Sequence, residues 1–176
     1  ISNRRDDAWG GSPENRSRLL RAIAARVRPL LGDRVALGVR LTTTDWQEGG
    51  VDTADAVAWA RELKAAGVDY VDATGGFVVP PSGIPFGPGY QVHLAERVRC
   101  ETGIATRAVG GISSPKQAEA IVAEGRADLV ALATAFLADP RWGWRAADEL
   151  GATLSYPPPY ARAKGVRASA REGAVR

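Results

Sequence analysis

The 176 residues contain one cysteine, one histidine and no methionine. A lone Cys100 excludes an internal disulfide framework and leads to the expectation of a reducing, cytoplasmic compartment. A lone His93, set between Val92 and Leu94 in a helical stretch, reads as a packing or surface residue, and no metal site is expected. No stretch approaches the ~18 consecutive apolar residues of a membrane span, and the opening does not read as a secretory signal. Charge is balanced: 23 Lys and Arg face 20 Asp and Glu, for a net +3. Basic residues are interspersed with acidic ones, so neither nucleic acid nor membrane is an expected partner. The exception is the tail, where Arg162, Lys164, Arg167, Arg171 and Arg176 meet only Glu172; such a tail is expected to be solvated and mobile. With Ile1 in first place and no methionine, the chain is expected to be an internal stretch or a trimmed piece of a longer one.

What is present is a soluble composition, 45% hydrophobic and 24% charged, with strands and helices in alternation. A first helix is expected from Pro13, capped by Ser12 and stopped by Gly32, with Leu19, Leu20, Ile23, Val27 and Leu30 as one apolar stripe. Four strand-then-helix units follow. The strands are placed at Val35–Leu41, Val68–Ala73, Ile104–Val109 and Leu129–Ala133. The helices are placed at Thr53–Ala66, Tyr90–Thr102, Pro115–Glu124 (capped by Ser113 or Ser114), and from Asp139-Pro140 to Gly151. A long Gly/Pro-rich loop, Gly75–Gly89, separates the second strand from its helix. This alternation implies parallel strands joined by right-handed crossovers. Loops after strands are longer and richer in Gly, Thr and Ser than loops before them, as in a barrel whose site lies at the C-terminal strand ends. A doubly wound sheet gives the same alternation, but no G-x-G-x-x-G follows the first strand. Four strands cannot close a barrel, which needs ~250 residues. The expected molecule is therefore a half-barrel over residues 1–151 with a Pro-rich, basic tail over 152–176. Its open edges call for a partner, either the other half or a second copy.

Two features could carry chemistry. Arg40 ends an apolar strand, where a charge is costly without a partner; a barrel-interior ion pair with Asp45 or Asp72 is one reading. Gly110-Gly111 follows the third strand directly, where bare backbone N–H groups could approach an anion, although Gly-Gly after a strand is also a plain turn. Cys100 matches no catalytic motif and reads as a semi-buried filler.

The opening Asn3-Arg4-Arg5-Asp6-Asp7-Ala8-Trp9-Gly10-Gly11-Ser12-Pro13-Glu14-Asn15-Arg16 resembles the Old Yellow Enzyme signature N-x-R-x-D-x-Y-G-G-S-x-E-N-R, with Trp9 in place of Tyr. The resemblance continues in register through Val39-Arg40-Leu41, Gly67–Asp72, Ala108–Ile112 and Arg126–Val130, to about residue 162. It is closest to the thermophilic-like bacterial branch. It implies an α/β fold, the C-terminal half (strands five to eight) of a (β/α)8 TIM barrel. It also implies a flavoprotein: part of an FMN-dependent NAD(P)H oxidoreductase, an ene-reductase acting on enones. By this resemblance Arg40 lies beside the flavin pyrimidine, and Gly110, Gly111, Ala133 and Thr134 surround the FMN phosphate. Gly75-Gly76 is a small-residue turn near the flavin, and Phe77–Gly89 a substrate-side loop. Arg162, in Tyr160-Ala161-Arg162, reaches into a neighbouring subunit's site. The catalytic residues lie in the other half, and none is assignable here.

The sequence departs from the family at the fourth strand. Ala133-Thr134 stands where the family has Gly-Arg, so a bidentate, charged phosphate partner is replaced by one neutral hydroxyl. Arg107 is an extra cation, three residues before Gly110 and so ~10 Å away along a strand; it substitutes only if it points to the strand ends. These departures leave an alternative: a degenerate, flavin-poor paralogue serving as a structural or small-molecule-binding partner subunit.

Overall fold

The computed structural model describes residues 1–78 and 84–162; the basic tail from residue 163 and the loop centre at 79–83 lie outside the described residues. Ser12 caps α1 (Pro13–Leu31) by accepting from the Asn15 N–H at 3.3 Å, and Gly32 ends it at φ 63°. There follow β1 (Gly38–Thr44), α2 (Thr53–Ala65), β2 (Tyr70–Gly75), α3 (Val92–Thr102), β3 (Ala105–Ala108), α4 (Pro115–Ala123), β4 (Leu129–Val130), the short α5 (Thr134–Ala138) and α6 (Trp142–Glu149). Of the two serines considered for α4, Ser114 is the cap.

The four strands form one parallel sheet in sequential order, as the alternation implies. Alternation along β1 assigns its two faces. Val39, Leu41 and Thr43 are buried, whereas Gly38 and Arg40 are exposed and Thr42 and Thr44 intermediate. The buried face packs against α2 and α3 in a core of Val57, Ala60, Leu63, Val71, Val98 and Ile104. Burial of the Val, Leu and Ile side chains among them stabilises by about 1.5–3 kcal/mol each. The opposite face carries Arg40, Asp72 and Arg107 side by side, because the register pairs Arg40 with Asp72 and Asp72 with Arg107.

Several boundaries move from their sequence-based positions. β1 starts three residues later than Val35 and runs through Thr42–Thr44, polar residues that read as loop; Leu37 lies before it, its N–H donating to Asp69 Oδ2 at 2.7 Å. β4 stops at Val130, and the chain enters α5, a helix the periodicity did not reveal. The last helix starts at Trp142, because Asp139 before Pro140 is held extended at φ −137°, ψ 92°. The α1 stripe divides. Ala24 is buried and Leu20 packs on the core, while Leu19, Ile23 and Leu30 stay exposed, since one neighbouring helix covers only part of so wide a stripe. Cys100 is exposed rather than semi-buried, on the outer side of α3.

The described chain divides into two compact units, Ile1–Pro140 and from Arg141 onward. In the second, the Arg141 guanidinium sits 4.4 Å from the ring centres of both Trp144 and Tyr160, and Tyr156 meets Trp144 edge-on. These contacts hold the segment that bears Arg162 against α6.

Candidate active site at the C-terminal strand ends

The opening motif is a folded loop. The Asn3 amide donates to the Trp9 carbonyl at 2.9 Å, and the Arg18 guanidinium donates to the Ala8 carbonyl at 2.6 Å. Arg5 forms an ion pair with Asp7, whose carboxyl is lowered to about 2, first by that hydrogen bond and next by the Trp9 N–H. In the first unit the motif's side chains thus serve the N-terminus of α1. The chemistry-bearing groups lie elsewhere, on the open face of the sheet and at its C-terminal rim.

On the open face, Asp72 Oδ2 accepts from Arg40 at 2.9 Å and from Arg107 at 2.8 Å. Asp72 is 1% exposed and the Arg40 side chain 59% exposed. Of the two carboxylates considered for Arg40, Asp72 is therefore its partner; Asp45 instead accepts from the Val51 N–H at 2.8 Å and braces a loop. Arg40 also donates to Thr74 Oγ1 at 3.2 Å. The Thr74 hydroxyl donates in turn to Gln91 Oε1 at 3.1 Å, which also accepts the Gly75 N–H at 2.7 Å. The Gln91 amide donates to the Tyr90 hydroxyl at 2.5 Å. A continuous polar chain thus runs from Arg40 to the rim.

At the rim, a groove of about 560 Å³ is lined by Tyr90, Gly110, Gly111, Ser113, Ala133, Thr134 and neighbouring apolar residues. The fold therefore brings Gly110, Gly111, Ala133 and Thr134 together, while Arg40 lies on the adjoining sheet face. Gly110 and Gly111 have φ of +100° and +65°. A Cβ on Gly111 would lie 2.0 Å from the Gly87 carbonyl oxygen, and one on Gly110 would lie 2.9 Å from the Tyr90 ring. The loop before α3 is thus pressed onto the Gly-Gly turn, and the Gly89 N–H donates to the Gly111 carbonyl at 3.1 Å. Among the described residues, neither the Gly110 nor the Gly111 N–H donates to another backbone or side-chain group. None of the residues lining the groove is charged. Arg107 is not among the residues that line the groove. Its guanidinium is turned to Asp72 and lies 5.4 Å from the Tyr70 ring, toward the N-terminal strand ends. His93 meets the Trp46 ring edge-on at 6.1 Å, a packing contact. No group of three or more metal-ligating side chains occurs among the described residues, and no described helix is long and apolar enough to cross a membrane.

Gly111→Ala is expected to cost about 1–3 kcal/mol from backbone strain alone, and more from the clash with Gly87. Gly125→Ala has similar strain at φ +71° but meets nothing nearer than 3.8 Å. Denaturant unfolding should therefore show a larger loss for Gly111→Ala.

The network residues Asp72, Thr74, Tyr90 and Gln91 are less visible in the sequence than the glycines. Only Asp72 is anticipated from the sequence, as one of two candidate ion-pair partners for Arg40. Gln91 reads as an ordinary helix-start residue, and its role appears only when the loop folds back onto Gly75.

Residues 1–152 match the family described as NADH:flavin oxidoreductase / NADH oxidase. An NADPH dehydrogenase of Geobacillus sp. (strain WCH70) is 47% identical over 162 residues, 92% of this chain and 47% of that protein. The NADPH dehydrogenase of Bacillus subtilis (strain 168) is 40% identical over 162 residues, 92% of this chain and 47% of that protein. The chain spans about half the length of the curated relatives it matches. Among solved structures, a 2-naphthoyl-CoA reductase in complex with 2-naphthoyl-CoA superposes with a TM-score of 0.75 at 32% identity, over 84% of this chain and 23% of that one. Histamine dehydrogenase from Rhizobium sp. 4-9 superposes with a TM-score of 0.68 at 26% identity, over 84% of this chain and 22% of that one. With its parallel sheet, its glycine-lined rim and a match over residues 1–152, the chain belongs to the NADH:flavin oxidoreductase / NADH oxidase family.

Proposed function

We propose that this chain is strands five to eight of an FMN-dependent NAD(P)H oxidoreductase that reduces activated C=C bonds. The observation that carries the reading is spatial. A groove of left-handed glycines and the first residues of α5 opens at the strand ends, and a polar chain links it to an exposed arginine on the sheet face. The groove suits a phosphate: its glycine N–H groups have no protein partner among the described residues. Gly110, Gly111, Ala133 and Thr134 would hold the FMN phosphate. Arg40 would face the pyrimidine end and favour negative charge there. When bound, FMN supplies the hydride chemistry, accepting from NAD(P)H and delivering to an enone. The protein's part is placement. Asp72 and Thr74 fix the Arg40 guanidinium, and Gln91 ties that position to the rim.

The partner is the complementary N-terminal half. The relatives' greater length and the exposed Leu19, Ile23 and Leu30 on α1 support this, and a second copy is the other candidate. Arg162, on a segment steadied by the Arg141 sandwich, is proposed to enter a neighbouring subunit's site from a cytoplasmic oligomer. An alternative is a flavin-poor subunit retained for structure or for binding a small molecule, and the uncharged groove lining favours it. Anaerobic addition of NADPH to the FMN-loaded protein separates the two. Bleaching of the flavin, then its return on adding an enone such as cyclohexenone, is expected of the oxidoreductase. Flavin that NADPH and NADH both fail to bleach would support the alternative.

A further inference from the structure

We propose that Arg107 sets the net charge that Arg40 presents at the open face, by sharing Asp72 with it. The inference rests on the reading that FMN's pyrimidine end faces Arg40. Arg40, Asp72 and Arg107 occupy one level of three adjacent strands, since the register pairs Arg40 with Asp72 and Asp72 with Arg107. Both guanidinium groups donate to the same atom, Asp72 Oδ2, at 2.9 and 2.8 Å. Asp72 Oδ1 is buried and has no hydrogen-bond partner among the described residues. One carboxylate oxygen thus serves two cations, and the trio keeps one formal positive charge. The pairing is reflected in Arg107, whose pKa is raised above its ordinary value, foremost by the hydrogen bond to Asp72.

The consequence follows from counting charge. With Arg107 removed, Asp72 would pair with Arg40 alone and largely cancel it. With Arg107 present, the carboxylate is divided, and Arg40, the more exposed of the two arginines, keeps its positive character toward the open face. A positive charge there stabilises negative charge that builds on a bound flavin during reduction, and so raises its potential. Arg107 is therefore a positioning residue, acting through Asp72 on Arg40, and it explains an extra cation that never reaches the phosphate groove.

The test is the midpoint potential of FMN bound to the holoenzyme. Arg107→Gln should lower it by about 30 mV, a tenfold change in the two-electron equilibrium. Arg107→Lys, which keeps the charge, should restore most of the loss. Asp72→Asn, nearly isosteric, should move the potential the opposite way, upward, because two cations then face no carboxylate. A merely structural role would send Arg107→Gln and Asp72→Asn in the same direction. If Asp72→Asn fails to fold, the Gln and Lys variants of Arg107 decide the matter alone. A potential unchanged in Arg107→Gln but lowered in Arg40→Ala would overturn this inference and leave the FMN reading standing. A potential unchanged in Arg40→Ala would overturn this inference and the placement of the flavin beside Arg40, and no FMN bound would overturn the proposed function as well.

Discussion

Thr134→Arg is expected to tighten FMN binding by about one to two decades. The groove that gathers Gly110, Gly111, Ala133 and Thr134 has no charged residue in its lining, whereas an FMN phosphate carries nearly two negative charges. Backbone N–H groups and a neutral hydroxyl can orient a phosphate, but the remaining charge is then met by water. A guanidinium at position 134 would add a bidentate, charge-assisted pair worth about 1.5–3 kcal/mol. Thr134 is the first residue of α5 and lines the groove, so the longer side chain enters from the correct strand end. Titration of apoprotein with FMN at two salt concentrations reads the effect, which should shrink as salt screens the new charge. Equal affinity in wild type and variant would mean that another cation already meets the phosphate. Arg107 is not that cation, since it is committed to Asp72 and the Tyr70 ring, so the search would move to the proposed complementary half.

Arg40→Ala is expected to lower the bound flavin's potential by about 30–60 mV and to slow its reduction by NAD(P)H. The range is the worth of one charged hydrogen bond, about 1.5–3 kcal/mol, converted for two electrons. The variant also leaves Asp72, 1% exposed, with Arg107 as its only cation among the described residues, so some loss of stability accompanies it. A normal potential in a destabilised variant would make Arg40 a structural residue. Potential and unfolding midpoint should therefore be measured on the same preparation.

Much of the architecture was legible because local chemistry specifies it. Ser12-Pro13 and Ser114-Pro115 announce helix starts, Gly32 and Gly103 announce stops, and the alternation of strand and helix gives sequential parallel order. Several of the differences fall at the C-terminal strand ends. There the open face is polar, so Thr42–Thr44 continue β1 while looking like loop, and α5 is too short for its periodicity to register. The Gly110-Gly111 turn was legible for the same local reason, whereas the departure at Thr134 was legible only through the family resemblance. The Arg40–Asp72–Arg107 trio was only half legible. Each residue sits on an apolar strand, but which carboxylate meets which cation depends on strand register, a non-local property. Arg107 points away from the rim because Asp72 and the Tyr70 ring lie on the neighbouring strand, and nothing within residues 104–109 encodes that direction.

The visible absorbance spectrum tests the central claim most directly. It is measured on the purified protein, with every chain that copurifies, after equilibration with FMN and removal of the unbound cofactor at low salt. The account expects retained flavin bands, shifted from those of free FMN, in a species heavier than the 18.6 kDa of one chain. A colourless, monodisperse species of that mass, taking up no FMN, would contradict it.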